Sequence, residues 1–158
     1  MRHHYIGVVG AGECGPELLE LARGVGREIA RAGAVVVCGG LGGVMEAVCQ
    51  GASEHGGVTV GILPGSDTQD ANQYVSLPIA TGLGAARNYV LVNTADVLIA
   101  IGGSYGTLSE IGFALKDGKR VVGLETFDLG AEIIPAQSPA HAVELALKAI
   151  KERQPSRV

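Results

Sequence analysis

Along this chain of 158 residues, short apolar runs alternate with longer segments of helical period. Residues 5–9, 34–38, 58–63, 96–101 and 120–124 are rich in Val, Ile, Leu and Ala, with charge only at the first position of two runs, Asp96 and Arg120. Their apolar positions are consecutive and not alternating, which predicts strands covered on both faces. A shorter run over 75–80 reads as a further strand. After Pro16, which fits a first helical turn, Leu18, Ala22, Val25 and Ile29 step along one face until Gly33 closes the helix. Further helices are predicted over about 44–55, stopped by Gly56 and Gly57, over about 84–95, and over about 107–116, stopped at Gly118. A last helix over about 140–152 carries Val143, Ala146, Leu147 and Ile150 on one face. Strand–helix alternation of this kind predicts an α/β fold: one Rossmann-like domain over 1–158, with a doubly wound, mostly parallel sheet and helices on both faces. Its core spans about 5–152, followed by a polar tail, and no fixed-period repeat or interdomain linker interrupts it.

Composition sharpens this picture through glycine, which supplies 25 of the residues. With 47% hydrophobic and 18% charged residues the chain is not of the disordered class, and glycine follows no three-residue period, which excludes collagen. The excess therefore belongs inside a folded unit. Much of it falls directly after predicted strands, in Gly10-Ala-Gly-Glu-Cys-Gly15, Gly39-Gly-Leu-Gly-Gly43, Gly82-Leu-Gly84 and Gly102-Gly-Ser-Tyr-Gly-Thr107. Ligands of open parallel sheets bind at that edge, and glycine lets backbone N–H groups and helix N-termini approach an anion. Several such loops converging favour a phosphate-bearing small molecule. Gly10, Gly12, Gly39, Gly40, Gly43, Gly102, Gly103, Ser104, Gly106 and Thr107 are the candidate contacts. The first loop has GxGxxG spacing, but strand two ends Val37-Cys38-Gly39-Gly40 without the carboxylate that would hold a dinucleotide ribose, and no GxxxxGK[ST] occurs. No cofactor is expected.

Charge and cysteine remove other classes. Twelve Lys+Arg against sixteen Asp+Glu give a net charge of −4, and the cations are dispersed, so no nucleic acid partner is expected. Cys14, Cys38 and Cys49 show no CxxC spacing, which argues against a disulfide framework or zinc ribbon and for a reducing, cytoplasmic setting. Cys14 sits in a loop ahead of a helix, where a thiol can be acidified, although a small residue in a tight loop explains it as well. No membrane span is expected, and no cluster of His, Cys, Asp and Glu has metal-ligand spacing. His3 and His4 read as an untethered terminus. Lysine occurs only at positions 116, 119, 148 and 151, which leaves the glycine-rich edge without a Schiff-base lysine.

Two side chains remain with chemical potential. Glu110 follows Gly102-Gly-Ser-Tyr-Gly-Thr-Leu-Ser and should lie near the loop mouth, able to accept hydrogen bonds from sugar hydroxyls or water; stabilisation of a helix start by a carboxylate accounts for it equally. Arg87, in Gly84-Ala-Ala-Arg87-Asn88, stands at a helix start, where a cation is unfavourable unless an anion is to be held there. Glu46 is a third candidate, from the helix after Gly43.

These residues resemble a known superfamily. Gly102-Gly-Ser-Tyr-Gly-Thr-Leu-Ser-Glu110 is similar to the PGGxGTxxE motif of the Lonely Guy phosphoribohydrolases, long called lysine decarboxylases. Gly39-Gly-Leu-Gly-Gly-Val-Met-Glu46 and the later Val60-Gly-Ile-Leu-Pro64 are similar to two further segments of that family. The resemblance spans about residues 5–125. It implies that Arg87 and Glu110 are the catalytic pair that cleaves the N-glycosidic bond of a nucleoside 5′-monophosphate, and that the protein is at least a dimer. Where the family has a His-Glu-Arg-Lys run, this chain reads Ala85-Ala86-Arg87-Asn88 and keeps only the arginine. That departure resembles the branch that includes molybdenum-cofactor carrier proteins, which bind a pterin monophosphate without turning it over. The expectation is therefore a carrier- or sensor-like protein for a nucleoside or pterin monophosphate, with weak hydrolysis at most. The alternative is a phosphoribohydrolase releasing ribose 5-phosphate. DNA-processing proteins of the DprA type share the superfamily, and the acidic charge disfavours that reading.

Overall fold

A computed structural model describes residues 2–153, so the end of the expected polar tail, 154–158, lies outside the described residues. Seven strands form one parallel sheet: β1 (Tyr5–Gly10), β2 (Val35–Cys38), β3 (Thr59–Leu63), β4 (Leu77–Ala80), β5 (Val97–Ile101), β6 (Val121–Leu124) and β7 (Ile133–Pro135). Their spatial order is β4-β3-β2-β1-β5-β6-β7. Strand order reverses between β1 and β5, whose registered pairs run from Ile6↔Val97 to Gly10↔Ile101. This is the switch point at which an open α/β sheet forms a crevice.

Among the described residues five α-helices cover the sheet: α1 (Pro16–Arg31), α2 (Val44–Ser53), α3 (Arg87–Thr94), α4 (Tyr105–Lys116) and α5 (Pro139–Glu152). Alternate strand residues divide between two cores, as the two-residue period of a strand requires. Ile6, Val8, Val36, Cys38, Ile99 and Val122 pack with α1, α2 and α5. Val9, Val37, Ile62, Leu98 and Val121 pack with Leu91 and Val92 of α3 and Ile111 of α4. All residues of β2, β3, β5 and β6 are buried, as the non-alternating apolar runs require.

The structure departs from the sequence expectations in four places. The third predicted helix begins as a 3-10 turn over Gly84–Ala86 and becomes α-helical only at Arg87. The run 75–80 pairs as a strand only from Leu77, because Ser76 is held by side-chain hydrogen bonds to Thr59. The sheet has a seventh strand, three residues long, in a stretch without periodic pattern. The N-terminus is tethered: Val35 N–H donates to the His4 carbonyl at 2.9 Å, and Arg2 reaches Asp96 at 3.5 Å.

Glycines inside helices bring α1 and α2 together. A Cβ on Gly51 would overlap the Arg23 carbonyl, and one on Gly26 would overlap the Val48 carbonyl. Both obstacles are backbone, so neither can rotate away. On the other face, the Lys119 ammonium donates to the carbonyls of Val92, Asn93 (2.9 Å) and Ala95, closing the C-terminus of α3.

Gly51→Ala is expected to force the two helices apart and cost about 1–3 kcal/mol, read as a melting temperature lower by several degrees. Lys119→Met strips the end of α3 of its donor and is expected to lower the melting temperature as well, with near-native far-ultraviolet circular dichroism.

Candidate functional site

The crevice at the β1/β5 switch is walled by the turns after β1, β2 and β5 and by the N-terminus of α3. The first two walls are stitched together: Val44 N–H donates to the Ala11 carbonyl at 3.0 Å. Gly43, at φ 65°, lies so close to Ala11 and Gly12 that any side chain there would overlap their backbone. Gly10 meets the same limit against the Ile101 carbonyl and Val44, so it is a contact between strand ends. The turn at Gly40 is fastened from outside, because Asn72 donates its N–H to the Gly40 carbonyl and its amide to the Leu41 carbonyl.

After β5, Gly102 (φ 58°) and Gly103 (φ 146°) take backbone conformations that L side chains rarely adopt. Ser104 starts α4, and its N–H donates to the Thr107 hydroxyl at 3.3 Å. Thr107 is thereby turned inward and buried. At a helix start the N–H groups of Tyr105 and Gly106 have no intrahelical acceptor. Phe127, from the segment after β6, lies against Gly103, and Thr126 donates to the Gly102 carbonyl at 2.6 Å.

Arg87 and Glu110 meet in this crevice. The Arg87 guanidinium lies over Gly39, where a Cβ would stand 2.5 Å from Nη1. Nη1 donates to Asn88 Oδ1 at 2.9 Å, while the buried Nε has no partner. Among the described residues no carboxylate comes within 4.0 Å of the guanidinium. Burial disfavours its charge, and the nearby negative groups Glu110 and Cys38 restore part of it. Glu110 is only 7% exposed, and no hydrogen bond to its carboxylate is found among the described residues. Burial pushes it from 4.5 up to about 7, against the opposing pull of Arg87. The pair is close enough to interact and too far apart to satisfy one another.

Two residues that sequence reasoning missed support this pair. Buried Asn88 accepts from Arg87 and donates Nδ2 to Ser109 Oγ at 3.2 Å, and Ser109 donates to the Gly106 carbonyl at 2.7 Å. This relay ties the start of α3 to the first turns of α4, and hence Arg87 to the helix that carries Glu110. Nothing in the linear spacing announces it, since Asn88 and Ser109 come from different elements.

Glu46 stands elsewhere. With Gly12, Glu13, Cys14, Gly43 and Gln50 it lines a groove of about 490 Å³ between the starts of α1 and α2. In the same groove burial pushes the Cys14 thiol up. Among the described residues no three His, Cys, Asp or Glu side chains group as a metal site, and no helix is long and apolar enough to cross a membrane.

The raised Glu110 carboxyl has a sign that can be checked. The folded state holds this proton up to about pH 7 and the unfolded chain only to about 4.5, so stability falls as pH rises through that window. Glu110→Gln is expected to match the parent below pH 4.5 and to exceed it at pH 8 by up to about 3 kcal/mol in denaturant melts.

Comparison with solved structures returns proteins of nearly equal length. The molybdenum cofactor binding protein of Rippkaea orientalis superposes with a TM-score of 0.89 at 41% identity, covering 96% of this chain and 99% of that one. The Moco carrier protein of Chlamydomonas reinhardtii superposes at 0.87 with 34% identity and the same coverages. The cytokinin riboside 5′-monophosphate phosphoribohydrolase of Mycobacterium marinum is 39% identical over 100 residues, 61% of this chain and about half (53%) of that enzyme. The model of the SLOG cluster4 family matches residues 3–154, and the chain belongs to that LOG-like family.

Proposed function

We propose that this protein binds a phosphorylated small molecule of the nucleoside- or pterin-monophosphate class and holds it as a carrier or sensor. One observation carries the reading: the buried Nε of Arg87, which among the described residues has neither a hydrogen-bond partner nor a carboxylate in ion-pair range, in a cation lying over glycine backbone. Such a group is costly unless an anion completes it. A phosphate held between Arg87 and the free N–H groups at the start of α4 would supply that anion, with the backbone of Gly39, Gly40, Gly102 and Gly103 as the remaining wall. The likeness to proteins described as molybdenum cofactor binding or Moco carrier supports a ligand of this class.

Glu110 favours a second reading. A carboxyl near 7 in a water-poor crevice is suited to receive or return a proton, as glycosidic bond cleavage requires, and the partial likeness to a phosphoribohydrolase agrees with it. The loss of the acidic and basic residues around Arg87, leaving Ala85, Ala86 and Asn88, favours binding over turnover.

The protein is also read here as a homo-oligomer acting in the cytoplasm. Between residues 75 and 95 the single charge is Arg87, which is turned into the crevice. Leu77, Ile79, Leu83 and Tyr89 are nevertheless solvent-exposed in that stretch. Leu77 and Ile79 pair with Val60 and Ile62 and so share the α3 face of the sheet, where two chains of net charge −4 could meet without facing carboxylates.

Thermal-shift and calorimetric titration with nucleoside 5′-monophosphates and a pterin monophosphate are expected to give saturable binding that Arg87→Gln weakens about 10–100-fold. Release of ribose 5-phosphate from the same nucleotides is expected to be slow or absent. Rapid release abolished by Glu110→Gln would establish the second reading instead. Light scattering is expected to give at least twice the chain mass, and Leu77→Glu with Ile79→Glu to reduce it to the monomer.

A further inference from the structure

Beneath the crevice lie two thiols that ligand binding does not use. Cys38 ends β2, and Cys49 sits in the second turn of α2; both are fully buried, with their sulfurs 3.4 Å apart. That is already van der Waals contact, against about 2 Å for a bonded pair. Gly40 N–H donates to Cys38 Sγ at 3.4 Å, and the next residue, Gly39, is the seat of the Arg87 guanidinium. We propose that Cys38 and Cys49 are a modification site, closing to a reversible intrachain disulfide under a small two-electron oxidant such as hydrogen peroxide, and so binding the end of β2 to α2 across the Gly39–Gly43 turn.

The two sulfurs are not equivalent. The contact with Cys49, helped by the Gly40 N–H and the Arg87 charge, holds Cys38 below the usual thiol range against its burial, whereas the contact with Cys38 and burial push Cys49 up. Cys38 is therefore the sulfur that reacts first. Its thiol ionises, the thiolate attacks one peroxide oxygen, the O–O bond breaks, and the departing hydroxide takes up the proton the thiol released to become water. The Cys49 sulfur then attacks the resulting sulfenic sulfur; the S–S bond forms, the S–O bond breaks, and the second hydroxide leaves as water with the Cys49 proton. Two thiols are oxidised and one peroxide is reduced to two waters. Full burial admits peroxide more readily than bulky reagents, and it keeps the pair from thiols of other chains.

The test uses the full chain carrying Cys14→Ser, so that only this pair remains. Under peroxide it is expected to lose both thiols together, with the mass of two hydrogens lost, a mapped peptide joining Cys38 to Cys49, and full reversal by dithiothreitol. The oxidised form is expected to melt several degrees higher and to slow amide exchange across residues 39–48. Cys38→Ala is expected to leave Cys49 unreactive while the protein is folded. Retention of both thiols until the chain is unfolded, interchain dimers, or sulfinic acid in place of the cross-link would each overturn the proposal. None of these readouts requires a bound phosphate ligand, so they stand or fall apart from the proposed function.

Discussion

At the carboxyl edge of the sheet, main chain packs directly on main chain, and the site depends on that contact. Gly43 against Ala11 and Gly12, and Gly10 against the Ile101 carbonyl, leave no room for a methyl group. The same economy operates behind the site, where Gly26 and Gly51 set the approach of α2 to α1. Because α2 is held this closely, its N-terminus stands where the turn after β2 can meet the turn after β1. Glycine here supplies thinness more than flexibility. Loops that thin allow a guanidinium to lie over backbone at Gly39, where an ordinary strand-to-helix turn would present a side chain.

The second organising fact is a deliberate imbalance of charge. Arg87 and Glu110 are partly desolvated, influence one another, and do not form an ion pair. A fold selected only for stability would neutralise Glu110 or close the gap. The surrounding structure carries that cost through the Asn88–Ser109 relay and the lysine clamp at the far end of α3, both of which fix the helix that presents the arginine.

Much of this was legible in the order of residues. Fully buried parallel strands write themselves as unbroken apolar runs, so β1, β2, β3, β5 and β6 could be read directly, and with them the edge that carries the glycine-rich turns. Arg87 and Glu110 stood out because a cation at a helix start and a carboxylate behind a glycine turn are each unusual. β7 was not legible, since three residues between Glu132 and Ala136 carry too little period to register. Gly26 and Gly51 give no linear sign of their role: each lowers helix propensity, and only the two helices placed side by side show why it is there. The contact of Cys38 with Cys49 was not legible either, because ten intervening positions without CxxC spacing give no sign that a strand end and a helix turn bring their sulfurs together.

The order of strands also bears on how the molecule comes together. Every ladder in the sheet joins strands that are neighbours in sequence except one, β1 with β5, where Ile6 finds Val97 across more than half of the chain. Closing a loop of that length before any contact rewards it is the largest entropic step in assembling this topology. The segments β1 to β4 and β5 to β7 are each local enough to begin forming alone, but the crevice exists in neither. Arg87 stands on the connection between them and lies over Gly39 of the first, while Glu110 belongs to the second, so the seat of the guanidinium and the carboxylate come together only when the halves dock. The walls of the crevice are thus completed by the same docking that closes the β1–β5 ladder.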